Sequence, residues 1–251
     1  MKHQGLIRAI AVVAVLAVAG GWQAGAAEPV TAKRVGHAYA QGSSELLYRE
    51  IHWARREDGR PVTEKVTYRG PEGRVIATKT IDYRRSQRAP AFRLVMTDPV
   101  YHEGMASTDE GLRAFVRAVG EERERSGAIS GGADLVVDAG FDRLMAERLA
   151  DLKAGRRLTF RFLVPSRLAA YDFRAQKVER TRVLGEPAIH VRMEPAGFLL
   201  RWLAEPVDVF YHWEQGRLLR YEGPSNLRDA EGDNPLVRVD FPAADRGVAG
   251  P

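Results

Sequence analysis

The chain alternates between apolar and polar positions with period two over most of its length. Val62, Val66 and Tyr68 share one side of a strand, with Thr63, Lys65, Thr67 and Arg69 opposite. Gly70-Pro71-Glu72-Gly73 is a turn. Val75, Ala77 and Ile81 then oppose Arg74, Thr78 and Thr80, although Ile76 and Lys79 blur the pattern, and the two runs predict a hairpin. Similar alternation recurs at 92–96, 158–164, 189–193, 207–213, 218–221 and 237–241, and 46–53 opens the series. Segment 108–125 has two readings. Leu112, Phe115, Val116 and Val119 have helical spacing, while Asp109-Glu110-Gly111 suits a turn between strands at 101–105 and 112–119. The hairpin is favoured.

Helical signals are few. Asp138 is placed to cap a helix over 139–153, with Gly155 just beyond and Phe141, Leu144, Met145, Leu149 and Leu152 as its apolar stripe. A second, short helix is predicted over 196–204. Alternating strands belong to antiparallel sheets with one dry and one wet face. A sheet of about ten strands presents more apolar area than one helix covers, so it must curl. The expected class is mainly β (α+β): a curved antiparallel half-barrel of about 9–11 strands wrapped around one long helix, with a second short helix.

Such a half-barrel leaves an apolar cavity. Its expected lining is Tyr48, Trp53, Tyr68, Phe92, Phe160, Phe162, Tyr211 and Trp213, with Phe198 and Trp202 from the second helix. Burying an acyl chain there gains roughly 0.8 kcal/mol per methylene, so binding requires no polar motif. Phe198, Leu199, Trp202 and Leu203 share one helical side. That segment reads as a short core helix, as a lid, or as a peripheral membrane contact with Arg201 at headgroup level.

The 251 residues are 45% apolar and contain no Cys, which excludes disulfides, thiol catalysis and attachment of lipid at an N-terminal cysteine. Lys2 and Arg8, the apolar run 9–20 and Ala24-Gly25-Ala26 predict a signal peptide over 1–26 and a periplasmic or secreted protein. A retained membrane anchor is the alternative. Residues 27–43 then read as a flexible tether, 44–241 as one domain and 242–251 as a frayed tail. Losing Lys2 and Arg8 lowers the formal charge of +5 by two, too mild an excess to indicate nucleic acid.

No catalytic set stands out. His37, His52, His102, His190 and His212 lack metal-ligand spacing, so no metal is expected. Asp138 and Asp142 lie one helical turn apart and form a possible acid–base pair, but their place at a helix start favours capping. Gly223-Pro224-Ser225-Asn226-Leu227 breaks the nucleophile-elbow pattern and reads as loop structure. No cofactor-binding glycine loop is present. The expected function is non-enzymatic binding of an acyl chain or lipid-like molecule. An envelope structural or protein-interaction module is the alternative.

Several short stretches carry a resemblance: Leu47-Tyr48-Arg49-Glu50, the turn region 68–73, Ala139-Gly140-Phe141-Asp142-Arg143, Phe160-x-Phe162-x-x-Pro165-x-Arg167, and Leu219-x-Tyr221-x-Gly223-x-Ser225-Asn226-x-x-Asp229. Together they resemble an uncharacterised family of secreted proteobacterial proteins, over most of the chain beyond the leader. That family transfers no activity and no functional residues. The order of hairpins, long helix and further hairpins is similar to the periplasmic lipoprotein carriers of the LolA/LppX type. The similarity implies a curved half-barrel lidded by helices.

Overall fold

The computed structural model describes residues 31–57, 60–197 and 205–243. The predicted leader 1–26, residues 198–204 of the second predicted helix (with Phe198 and Trp202), and tail residues 244–251 lie outside the described residues. The chain is mainly β. Its strands are β1 (Thr31–Ala40), β2 (Leu46–Glu57), β3 (Arg60–Arg69), β4 (Val75–Asp82), β5 (Ala91–Thr97), β6 (Val100–Thr108), β7 (Gly111–Arg117) and β8 (Arg125–Ile129). They continue as β9 (Leu135–Val136), β10 (Leu158–Val164), β11 (Ala169–Val183), β12 (Glu186–Pro195), β13 (Val207–His212), β14 (Leu218–Pro224) and β15 (Leu236–Asp240). Helices α1 (Gly140–Glu147) and α2 (Leu149–Lys153) lie between β9 and β10, and a 3-10 turn, η1 (Pro165–Arg167), follows β10.

All fifteen strands join one sheet in the order β8-β7-β6-β5-β4-β3-β2-β1-β15-β14-β13-β12-β11-β10-β9. Two runs of hairpins, β1–β8 and β10–β15, are thus joined through the β1–β15 pair. Neighbours are antiparallel except β9 and β10, which are parallel over Leu135–Val136. The sheet curls until its ends approach. Strand β8 touches β11, and η1 packs on β6 and β7. The two outermost strands, β8 and β9, are not hydrogen-bonded neighbours, so the sheet stays open.

Four of these strands were not legible as strands. Thr31–Ala40 falls in the expected tether, yet it pairs with both β2 and β15. Its inward positions include Gly36 and Ala38, too small to register as an apolar face. A Cβ on Gly36 would stand 2.7 Å from the Phe241 ring and 2.8 Å from Glu50 Cγ, so the position has no room for a larger residue. Strands β8 and β9 are short, and β11 carries a long polar stretch. The 108–125 segment is a hairpin, with β6 and β7 paired from His102–Arg117 to Thr108–Gly111.

The expected single long helix is a correction. It is two short ones, interrupted where Arg148 adopts φ −106° and ψ 14°. The predicted Asp138 cap also fails. The residue before α1 is Ala139, and no side chain caps that helix. Asp138 instead has φ +44°, a left-handed conformation that aspartate tolerates better than most residues.

The inner face divides into two clusters. One spans β2–β7 and β15, with Val66, Tyr68, Leu94, Met105 and Val237. The other packs Leu144, Met145 and Leu152 of the helices against Leu158, Phe160, Ile189, Val191 and Val209. Between them lies a lumen.

Candidate functional site

The lumen has a volume of about 350 Å3 and opens to solvent. That lies within the range of small-ligand pockets, about 300–1,000 Å3. One side is apolar. Phe162 stacks edge-on against Phe141 and Phe173, with ring centroids 6.4 and 5.8 Å apart, and Met193, Val207 and Leu218 extend the surface. The other side is ionic, and this corrects the expectation of a wholly apolar lining. Arg34, Glu50, His52, Glu64, Lys79 and Glu103 project inward from β1, β2, β3, β4 and β6, Asp138 comes from the turn before α1, and Asp142 comes from the first turn of α1.

These groups form linked pairs. Lys79 Nζ donates to both carboxylate oxygens of Asp138, at 2.9 and 3.0 Å. Burial works to lower the Lys79 pKa, but the charge of Asp138, joined by Tyr68, the hydrogen bonds to Asp138 and the charge of Glu50, together outweigh it and hold the ammonium well above its ordinary value. Arg34 donates to Asp142 Oδ2 at 3.0 Å, and Tyr211 donates to Oδ1 of the same residue at 2.9 Å. Arg228 donates to Tyr101 Oη at 2.9 Å and to Asn234. Tyr101 in turn donates to Glu103 Oε2 at 2.5 Å, and Arg228 lies 3.9 Å from that oxygen. Burial raises the Glu103 pKa, against the opposing pull of Tyr101 and Arg228.

His52 lies between two carboxylates. Its Nδ1 is 2.8 Å from Glu64 Oε1 and its Nε2 is 3.1 Å from Glu50 Oε1. A doubly protonated ring donates to both. Tyr83 donates to the second oxygen of Glu64 at 3.0 Å. Burial pushes the Glu50 pKa upward, but the hydrogen bond and charge of His52, followed by the charges of Arg34 and Lys79, outweigh it and hold the carboxyl below its ordinary value. Ser225 bonds Tyr48 Oη at 2.9 Å and accepts the Leu227 amide, consistent with its predicted loop role. Among the described residues, no group of three or more His, Asp or Glu is arranged to hold a metal ion.

The predicted lining residues separate into groups. Tyr48, Tyr68, Phe92 and Phe162 line the lumen. Phe160 is buried behind Phe141, with ring centroids 5.8 Å apart, and Tyr211 is buried beneath Asp142. Both belong to the packed core. Trp53 faces the opposite side of the sheet, because it is an odd number of residues from inward-facing Tyr48 on a strand that pairs regularly between them. It borders an open depression of about 950 Å3 with Lys65, Thr80 and Arg93. That space is larger; its lining joins exposed side chains to Glu64, Ile81 and Phe92, which also border the lumen, whereas Glu50, His52, Lys79 and Glu103 line the lumen alone. Trp213 lies past the end of β13, its ring 4.4 Å from the Arg180 guanidinium and 4.9 Å from Lys153 Nζ.

The ionic residues were missed because a strand position was read by its apolar neighbours. Glu50 and His52 share the face of Tyr48, and Lys79 lies between Ala77 and Ile81. A charge at an inward register position was the available signal.

No protein-family model matches the chain, and no curated protein does. Among solved structures, the chain is similar to a β-barrel-like protein of a domain of unknown function, DUF1849, from Brucella abortus, at 10% identity and a TM-score of 0.43, covering 86% of this chain and 97% of that one. It is also similar to MucB in complex with MucA(peri), at 15% identity and a TM-score of 0.27, covering 88% of this chain and about half, 51%, of that one.

Proposed function

We propose that this chain is an exported, non-enzymatic binding protein that holds an elongated amphiphile in the lumen of its curled sheet. The observation that carries the reading is the two-sided lining. Phe141, Phe162, Phe173 and Met193 offer hydrocarbon contact, while Glu50, Lys79 and Glu103 face them across the same space. A pure acyl pocket would not keep so many buried charges, since each is costly to desolvate. A ligand with a polar head and a hydrocarbon chain matches both sides. The leader-like start supports an exported location, and among the described residues no helix is long and apolar enough to cross a membrane. Against catalysis, both ring nitrogens of His52 are engaged by carboxylates, and Ser225 bonds a tyrosine rather than a base.

The test is uptake. Protein stripped of lipid and refolded should take up a fluorescent twelve-carbon amphiphile at one molecule per chain. Native mass spectrometry should show the same stoichiometry. Trp53→Ala, on the opposite face, should leave the affinity unchanged. No uptake, together with no lipid carried through purification, would overturn the reading.

A further inference from the structure

The strand register lines up one row across the outside of β2–β7. Trp53 pairs with Lys65, Lys65 with Thr80, Thr80 with Arg93, Arg93 with Gly104 and Gly104 with Phe115. Neighbouring strands lie about 4.8 Å apart, so the row runs roughly 24 Å across the strands. Its side chains line the open depression of about 950 Å3 on the face opposite the lumen. Ala91 and Ala106, beside the row, carry only methyl groups, which sinks the floor between Trp53 and Phe115. Gly104 lets the Phe115 ring lie across its strand, since a Cβ there would stand 2.5 Å from Phe115 Cζ. The Arg93 guanidinium in turn lies 4.9 Å from the centre of that ring.

The row mixes one aromatic plate with polar groups. Trp53 is half-buried and borders the depression at one end. Lys65 and Arg93 are exposed, with Thr80 between them. An acyl chain would have to desolvate those groups. A peptide strand finds no free rim, because every strand from β2 to β7 is hydrogen-bonded on both sides. A sugar ring suits both features: its apolar C–H face stacks on an indole, and its hydroxyl rim meets cations and a threonine.

The sign of the ligand follows from Lys65. Arg55 is paired with Glu57 and Asp82 with Arg84, and Arg93 lies 3.6 Å from Glu124. Glu64 turns to His52 and Tyr83 on the lumen side. Lys65 has no ion-pair or hydrogen-bond partner among the described residues, so its ammonium is available to a carboxylate.

We infer that this outer row is a second binding site, which takes an acidic oligosaccharide laid across the strands, with one ring on Trp53 and the carboxylate of the next on Lys65. The site is independent of whatever fills the lumen.

The experiment titrates tetragalacturonate, its methyl ester and tetraglutamate into the full chain at low salt by calorimetry. Tetragalacturonate should bind at one molecule per chain, and the ester about threefold more weakly or worse, the effect of losing exposed charge pairs. Trp53→Ala should weaken acid and ester alike by about tenfold. Lys65→Gln should weaken the acid by about threefold and leave the ester unchanged. A saturating twelve-carbon amphiphile should leave tetragalacturonate binding unchanged. Competition between the two would place the sugar in the lumen and overturn the assignment. No binding of either sugar, or tetraglutamate binding as tightly as tetragalacturonate, would also overturn it. Equal binding of acid and ester would overturn the choice of an acidic ligand. The comparison of three probes on the unaltered chain stands even if Trp53→Ala does not fold.

Discussion

The two halves of the sheet obey the same alternation and use it differently. On β10–β13 the inward positions are Leu158, Phe160, Ile189, Val191 and Val209, and the helices lie on them with Leu144, Met145 and Leu152. On β2–β6 the inward positions include Glu50, His52, Glu64, Lys79 and Glu103. The first half is held by packing, which is non-directional and tolerates changes of residue that conserve volume. The second adds to its own apolar cluster a set of buried pairs, each of which depends on its partner. The lumen lies where one regime meets the other.

Breaking a pair should cost most. Lys79→Ala leaves the Asp138 carboxylate buried without its cation and should destabilise the fold by about 3–5 kcal/mol in urea unfolding. Adding Asp138→Asn should recover part of that loss. A double variant as unstable as the sum of the two single variants would show that the pair is not coupled. In the apolar half, Met145→Ala should cost about 2–5 kcal/mol, with no second substitution of charge able to restore it.

Gly36→Ala probes the seam between the halves. The added carbon meets side-chain atoms of Phe241, Glu50 and Val239 at 2.7–2.9 Å, and should cost about 1–3 kcal/mol.

The smallest effect is in pH dependence. Glu103 has its folded pKa raised by burial, so its contribution is fully present below the unfolded value, near 4.5, and is lost as pH rises through the folded one. Glu50 is shifted the other way. Its contribution is present above the unfolded value and is lost as pH falls through the folded one. Relative to the unaltered chain, Glu103→Gln should therefore gain stability as pH rises through the window just above 4.5. Glu50→Gln should lose stability as pH rises through the window just below 4.5. Thermal melts from pH 3 to 7 check both signs.

Much of the architecture was legible in the alternation. The strands at 62–68, 75–81 and 92–96 are found on β3, β4 and β5, and the curling of an under-covered sheet was a matter of area. Strand β1 was not legible, because Gly36 and Ala38 are small for the same reason they are buried: larger neighbours cross over them. Tyr48, Tyr68, Phe92 and Phe162 were found as lining from parity on their strands. Trp53 was misplaced by neglecting that parity. The ionic side was visible only as noise, with Lys79 as a blemish in β4. Its partner Asp138 lies 59 residues away in sequence, beyond the reach of any local pattern.

The pairing of β1 with β15 constrains how the protein is made. Ala40 and Val237 are joined across about two hundred residues, a long loop to close compared with the hairpins on either side. In a chain emerging amino-terminus first, the hairpins from β1 to β8 can zip up while one rim of β1 still lacks its mate. That bare rim is an adhesive template until β15 arrives. Assembly therefore carries a waiting period, during which a chaperone or rapid delivery would protect the nascent molecule from sticking to its siblings.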